Sequence, residues 1–276
     1  MMFDKIILAS FDEDMPNGDI TTVATVPENA VAEGFFKAKA DGVICGTDIA
    51  KRSFELCGGG VDIEFNVKDG DWVKKGDIIA KVSGNARTIL MGERTALNLM
   101  QRASGIATAT RIACEAVKGT STRITDTRKT MPGLRVIDKY AVRVGGAANH
   151  RFGLSDGILI KDNHIAAAGS ITKAVSAAKA YAPHTLKIEV ETESMAQVEE
   201  AINAGADIIM LDNMTCEQMK AAVEFIAGRA VTEASGNMGE RDLAEVASAG
   251  VDLISIGALT HSVKALDISL KFTLKV

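Results

Sequence analysis

The chain has 276 residues, enough for one large domain or two and for a substantial buried core. A formal net charge of −5 argues against a general nucleic-acid binder, and no uninterrupted apolar run approaches the roughly 20 residues of a membrane-spanning helix. Four dispersed cysteines without a Cys-x-x-Cys pair, and a start (Met1-Met2-Phe3-Asp4-Lys5) without a basic leader, point to a reduced cytoplasmic protein and away from a cysteine zinc site.

From about residue 21 to 90 the chain reads as a β-rich unit. Short strand-like runs, Ala32–Ala38, Val61–Val67, Trp72–Val73 and Ile78–Val82, are separated by Gly and Asp. Asp69-Gly70-Asp71 and Lys75-Gly76-Asp77 are turn signals. The stretch 67–77 resembles half of a biotinyl or lipoyl hairpin, but no Met-Lys-Met target follows, so it reads as scaffolding and not as a carrier. Glu93 to Arg102 combines good helix formers with apolar residues at helical spacing, which predicts a long helix leading into the second half.

From about residue 120 the pattern becomes strand, loop, helix, repeated. The predicted strands are Arg123–Asp126, Gly157–Lys161, Leu186–Glu191, Asp207–Leu211, Ala230–Ala234 and Leu253–Ile256, with a seventh expected inside Ala141–Ala148. Amphipathic helices Ser194–Ala204, Thr215–Ala227 and Glu240–Ala249 separate the later ones. The last four strands recur about every 22 residues, a spacing suited to βα units. Strands apolar along their length imply burial on both faces of a parallel sheet. Polar residues at their C-terminal ends are what an α/β barrel gathers around one mouth. The expected fold is α/β: a C-terminal α/β barrel of six to seven parallel strands, with an N-terminal β-rich α/β sandwich domain. The expected boundaries are residues 1–105, joined by 265–276, and residues 106–264. An open doubly wound sheet is the alternative, because sequence does not establish closure.

The stretch from Asp126 to His164 carries the most chemistry. It holds seven Arg or Lys against four Asp in an acidic chain, interleaved with Gly, Asn and Thr. That composition suits a loop-built pocket for small anions: Arg offers a planar fork, Lys a mobile point charge. Arg128, Lys129, Arg151 and Lys161 all end or follow predicted strands and so share one mouth. Arg135, Lys139 and Arg143 repeat every four residues on a predicted helix and read as a solvated or partner-facing stripe.

Glu191 and Asp212 are also at strand ends, placed to hold Mg2+, contact sugar hydroxyls or stabilise a developing cation. The plain alternative is a salt bridge from Glu191 to Lys129 or Lys161. Glu189 and Glu193 share the parity of Glu191, whereas Asp207 reads as structural. Ser235-Gly236-Asn237 and Ser255-Ile256-Gly257 follow the last two strands, where small residues leave backbone N–H groups open to a phosphate. His150 stands in the cationic segment and is the histidine expected to touch substrate; His184 and His261 have no supporting constellation. No Walker loop, G-x-G-x-x-G fingerprint or zinc pattern occurs.

Six ordered motifs carry a resemblance. Gly92-Glu93-Arg94-Thr95-Ala96-Leu97-Asn98, Asp126-Thr127-Arg128-Lys129-Thr130, Asn149-His150-Arg151, Ile160-Lys161-Asp162-Asn163-His164, Met210-Leu211-Asp212-Asn213 and Ser235-Gly236-Asn237 resemble the quinolinate phosphoribosyltransferase family. The similarity runs from Gly18-Asp19-Ile20-Thr21-Thr22 to the C-terminus. The family converts quinolinate and phosphoribosyl pyrophosphate to nicotinate mononucleotide, pyrophosphate and CO2, in de novo NAD biosynthesis. By that resemblance Arg128, His150, Arg151 and Lys161 grip the quinolinate carboxylates, with Thr127 beside them, and Arg94 reaches in from a neighbouring subunit of a homodimer or larger assembly. Lys129 faces the pyrophosphate or the reacting centre. Glu191 and Asp212 hold the ribose side and Mg2+, directly or through substrate. Ser235, Gly236, Asn237 and Gly257 cradle the 5′-phosphate. Lys129, Glu191 and Asp212 are the implied catalytic residues. Two departures are small: Ala147-Ala148 where relatives often carry glycine, and Asp138 where glutamate is common.

Two rival functions differ in chemistry. A molybdenum-transport-associated relative of the same fold shares the Gly-Asp-x-Thr-Thr and Asp-Thr-Arg-Lys-Thr motifs but departs at 160–164. A Schiff-base lyase could use Lys161 at its strand end, although the tight Arg cluster argues for anions instead.

Overall fold

Residues 31–38 mix apolar and polar positions so that one face can turn inward while the backbone pairs on both sides. In the computed structural model, which describes residues 2–275, they form β1 (Val31–Ala38), antiparallel between β12 (Ile268–Lys275) and β5 (Ile78–Asn85). β3 (Val61–Phe65) completes this four-stranded sheet, and β2 (Gly42–Val43) pairs with β4 (Trp72–Val73). Ala32, Phe36 and Ala38 of β1 join Ile79, Ala80 and Val82 of β5 in one apolar cluster. The two turn signals fold alike: Asp71 accepts from the N–H of Lys68 and Asp77 from that of Lys74, both at 2.9 Å.

Three helices in this first unit were not foreseen: α1 (Asp4–Asp14), α2 (Ile20–Thr25) and α3 (Thr47–Cys57). α3 buries Ile49, Ala50, Ser53 and Phe54, a helical spacing in a stretch too short, between glycines, to stand out from neighbouring strands. The expected long helix is α4 (Ala86–Ala116), opened by Asn85, whose Oδ1 accepts from the N–H of Thr88 at 3.0 Å.

The unit comprises the residues up to Arg111, residues 131–146 and those from Ser262 onward. Residues 131–146, which the sequence placed in the barrel, therefore group here. They contain no seventh strand: α5 (Arg135–Gly145) occupies them, and Ala148 makes a single bridge to Thr125. The reason is a buried carboxylate. Asp138 takes a bidentate pair from Arg102, Nε and Nη2 each at 2.8 Å, and also accepts from the N–H of Met131. Tyr140 donates to Asp69 at 2.8 Å, and Arg111 Nε donates to the carbonyl of Gly145 at 2.9 Å. Lys139 is buried, so the stripe expected at Arg135, Lys139 and Arg143 is not a uniformly solvated face.

The second unit holds β6 (Arg123–Thr125), β7 (Ile158–Ile160), β8 (Ile188–Thr192), β9 (Ile208–Asp212), β10 (Val231–Ser235) and β11 (Leu253–Ser255). They form one parallel sheet in the order β6-β11-β10-β9-β8-β7. The helices between and after them are α6 (Asp162–Ala168), α7 (Ile171–Tyr181), α8 (Met195–Ala204), α9 (Cys216–Ile226), α10 (Leu243–Ser248) and α11 (Ala258–His261). Ser170, Ser194, Thr215 and Asp242 cap α7 to α10 by accepting from N–H groups of the first turn. Val190, Ile209, Leu211, Ala234 and Ile254 share a core with Val198, Met219 and Val246 from the helices.

β6 and β7 follow each other in sequence yet form opposite edges of the sheet. The sheet nonetheless curls. Thr125 bridges to Ala148, and the buried Asp126 accepts from the N–H of His150 at 2.7 Å and from Asn149 Nδ2 at 2.8 Å. His150 Nε2 then lies 3.1 Å from Glu189 on β8 and 3.6 Å from Glu233 on β10. Side chains of non-neighbouring strands meet in this way only on a concave inner surface. The result is an α/β barrel of six strands with a seam between β6 and β7 that a loop closes instead of a ladder.

Candidate active site

Each strand of the barrel ends in, or is followed directly by, a polar residue because the chain leaves the sheet there and needs water or a ligand for its backbone. At that mouth a cavity of about 510 Å³ is lined by Thr127, Arg128, Lys129, His150, Arg151, Leu159, Lys161, Glu191, Met210, Asp212, Asn213, Glu233, Ser235, Gly236, Asn237 and Ser255. Eleven of the residues named from sequence meet here: Thr127, Arg128, Lys129, His150, Arg151, Lys161, Glu191, Asp212, Ser235, Gly236 and Asn237. Gly257 adjoins them, since a Cβ there would lie 2.9 Å from Lys129 Cδ. Arg94 is exposed on α4, in the first unit. A larger cavity of about 1040 Å³ faces the antiparallel sheet, but its wall mixes Glu33, Asp62 and Glu64 with Lys51, Lys81 and Lys271 and has no net charge to select an anion.

The cations are held from behind. Lys129 is fixed through its backbone: its N–H donates to Thr127 Oγ1 at 3.0 Å, and its carbonyl accepts from Thr260 at 2.8 Å. Its exposed ammonium is left for the cavity. Arg151 donates from Nη1 to the carbonyl of Gly157 at 2.9 Å, while its Nε is buried without a hydrogen-bond partner among the described residues. Burial, and then the positive charge of Arg128, lower the pKa of Arg151. An anion between the two guanidiniums would relieve that repulsion and satisfy the orphaned donor. Lys161 Nζ pairs with Glu191, so the salt bridge weighed as the plain alternative for Glu191 is present, inside the cavity. Asp212 accepts from Asn213 Nδ2 at 2.6 Å.

The side of the cavity formed by Asn213 and Ser235 to Asn237 is shaped by backbone. Gly236 has φ +92°, and a Cβ on it would lie 2.8 Å from the amide nitrogen of Asn213, so no larger residue fits without movement. Asn213 and Asn237 also take positive φ, at 54° and 51°. Small residues with these backbone angles turn N–H groups toward one point, which is how loops bind phosphates.

Other expectations resolve individually. Asp207 is structural, accepting from the N–H of Ile188 at 2.8 Å. His164 is structural, its Nδ1 accepting from the N–H of Lys161 at 3.0 Å at the start of α6. Glu233, Leu159 and Met210 also line the cavity but were not among the expected site residues, because each falls within a predicted strand and nothing in the spacing turns it to the mouth. His261 was also missed: its ring lies 3.2 Å from where a Gly257 Cβ would be, beside Lys129. One turn of α11 brings it back to the strand end, a relation visible only once that helix is known.

Comparison with known proteins agrees with this geometry. Residues 19–104 match the N-terminal domain model of quinolinate phosphoribosyl transferase, and residues 106–271 the C-terminal domain model. A probable nicotinate-nucleotide pyrophosphorylase [carboxylating] of Bacillus subtilis is 46% identical over 99% of this chain and 94% of its own. The chloroplastic nicotinate-nucleotide pyrophosphorylase [carboxylating] of Arabidopsis thaliana is 45% identical over 96% of this chain and 81% of its own. The crystal structure of NadC from Streptococcus pyogenes superposes with a TM-score of 0.93 at 44% identity, covering 99% of this chain and 97% of that one. The chain therefore belongs to the quinolinate phosphoribosyltransferase family.

Proposed function

We infer that this chain transfers the phosphoribosyl group of phosphoribosyl pyrophosphate to the ring nitrogen of quinolinate, releasing pyrophosphate and CO2 and forming nicotinate mononucleotide for NAD biosynthesis. It is a pentosyltransferase, like the relatives that carry that activity in their names. The observation that carries the reading is Arg151: a half-buried guanidinium, its buried Nε without a hydrogen-bond partner among the described residues, beside a second arginine, calls for an anion with more than one oxygen.

Arg128, Arg151 and Lys161 take the two carboxylates, and His150, whose Nδ1 accepts the N–H of Arg151, positions that residue. Leu159 and Met210 give the flat ring an apolar floor. Ser235, Gly236, Asn237 and Gly257 hold the 5′-phosphate, and Lys129 faces the departing pyrophosphate. Glu191, one residue before the end of β8, and Asp212, the last residue of the adjacent β9, are a pair of carboxylates that would hold an Mg2+ ion arriving with the phosphates. Bound there, Mg2+ supplies charge neutralisation for the pyrophosphate. As C1 of the ribose gains oxocarbenium character, Glu191 and Asp212 offset its charge and the pyridine nitrogen attacks. The alkylated nitrogen then stabilises the electron pair left at C2 when CO2 departs. The protein contributes orientation and fixed charge. The same reading makes the enzyme a cytoplasmic homodimer or larger homo-oligomer in which Arg94 serves a neighbouring subunit's site. Among the described residues, no helix is long and apolar enough to cross a membrane.

Purified protein given both substrates and Mg2+ is expected to release CO2 and form nicotinate mononucleotide, with quinolinate strongly preferred over nicotinate. A preference for nicotinate overturns the two-carboxylate argument. Borohydride trapping of an adduct on Lys161 would instead support the lyase.

A further inference from the structure

The reaction consumes a proton that none of these roles supplies. When the bond from C2 to its carboxylate breaks, the electron pair stays on C2, and the ring must take up a proton there. Arg128 and Arg151 stay charged throughout and cannot give one. Lys161 is engaged with Glu191.

The cavity floor offers another source. Barrel interiors are ordinarily packed with branched apolar side chains, yet this layer contains Glu189, Glu233 and His150. Glu233 is 2% exposed, borders the substrate cavity, and has an Oε1 without a hydrogen-bond partner among the described residues. His150 does not neutralise it. Nδ1 of His150 accepts the N–H of Arg151 at 2.7 Å, so the proton of the neutral ring sits on Nε2, where Glu189 Oε2 takes it at 3.1 Å. The same tautomer leaves Nε2 no lone pair for a metal, which argues against reading the His150, Glu189 and Glu233 trio as a metal site. The groups facing Glu233 are Glu189, Asp126, His150 and the Ser255 hydroxyl. Burial first, then Glu189, push its carboxyl up to about 7, against the opposing effect of the Ser255 hydroxyl. A bound dicarboxylate adds negative charge above the floor and favours the protonated form further.

Glu233 also has a route for recharging. A second cavity, of about 450 Å³, opens among the first residues of the strands, including Arg123, Ile208 and Leu253, and ends on the same Glu233, Glu189 and His150. Glu233 thus borders substrate on one side and a separate water-accessible space on the other.

We propose that Glu233 is the acid that protonates C2 of the ring as CO2 leaves. The proposal rests on the phosphoribosyl-transfer reading above. The bond from C2 to the carboxylate carbon breaks, CO2 departs, and the retained electron pair takes the carboxyl proton of Glu233. The resulting carboxylate regains a proton from water in the second cavity.

The test uses the full-length protein with quinolinate, phosphoribosyl pyrophosphate and Mg2+. Glu233→Gln is expected to lower kcat about 100-fold, with both KM values within about threefold of wild type. Wild-type kcat is expected to fall on the alkaline side with a midpoint near pH 7, a limb that E233Q lacks and Glu233→Asp partly restores. Unchanged kcat in E233Q, or survival of its alkaline limb, overturns the proposal. If E233Q does not fold, Ser255→Ala decides: losing the hydroxyl that favours the ionised carboxyl should move the limb to higher pH, and an unmoved limb overturns the proposal. Wild-type protein without turnover sinks the phosphoribosyl-transfer reading itself, whereas an active wild type with an unaffected E233Q sinks this proposal alone.

Discussion

Arg151 shows how much of the site depends on single groups. Its Nη1 is tied to the carbonyl of Gly157, which aims the fork, and its Nε is left for a ligand. Lysine would keep the charge but lose the second donor and the planar geometry. Arg151→Lys is therefore expected to raise the KM for quinolinate by about 100-fold while changing the KM for phosphoribosyl pyrophosphate little, as steady-state kinetics with each substrate varied in turn would show. Glu233 makes a prediction about stability as well as chemistry. Its folded pKa, about 7, is above the unfolded value, so the folded state holds the proton longer as pH rises. The stabilisation it brings is complete below about pH 4.5 and is lost as pH climbs through 7. Between those pH values wild type should lose on the order of 3 kcal/mol relative to E233Q, measured by urea unfolding across pH. Parallel pH dependences for the two proteins would remove Glu233 as a buried titrating group.

Among the elements, α5 is the one whose placement depends on a single buried ion pair. Asp138 is fully buried and satisfied by Arg102 and the N–H of Met131. Asp138→Ala removes the bidentate carboxylate partner of the mostly buried Arg102 and should cost about 3–5 kcal/mol in urea unfolding. A loss under 1 kcal/mol would mean that apolar packing by Ile137, Ala141 and Val142 already fixes the helix. The same element shows where sequence reasoning runs out. All six barrel strands were legible because each is a short apolar run with a polar end, a pattern set by burial on two faces. Residues 141–148 carry alanine, valine and glycine, which satisfy strand and helix patterns equally. What decides between them is Asp138, and its partner Arg102 stands 36 positions earlier. α3 was missed for a related reason, since its apolar positions are few and bounded by glycines. The cationic wall was legible because unlike charge stands out in an acidic chain. The floor was not, because one glutamate inside an apolar strand looks like a strand residue until its neighbours across the barrel are known.

For the whole molecule, the consequential feature is the join between β6 and β7. Backbone ladders hold every other pair of adjacent strands in the barrel, but here the connection is one bridge at Thr125 and the Asp126 carboxylate, which accepts from Asn149 and His150. The amides flanking this join should exchange with deuterium faster than those of β9 or β10, which have ladders on both sides. Addition of quinolinate should slow that exchange selectively, and equal slowing throughout the barrel would count against a local effect. The cations proposed to hold the substrate are divided across the same join: Arg128 follows β6, while Arg151 and Lys161 flank β7. A dicarboxylate reaching from one bank to the other works as a clasp. The enzyme's own substrate then supplies the crosslink that the fold leaves out, and a monocarboxylate, lacking the second hook, leaves the barrel unfastened.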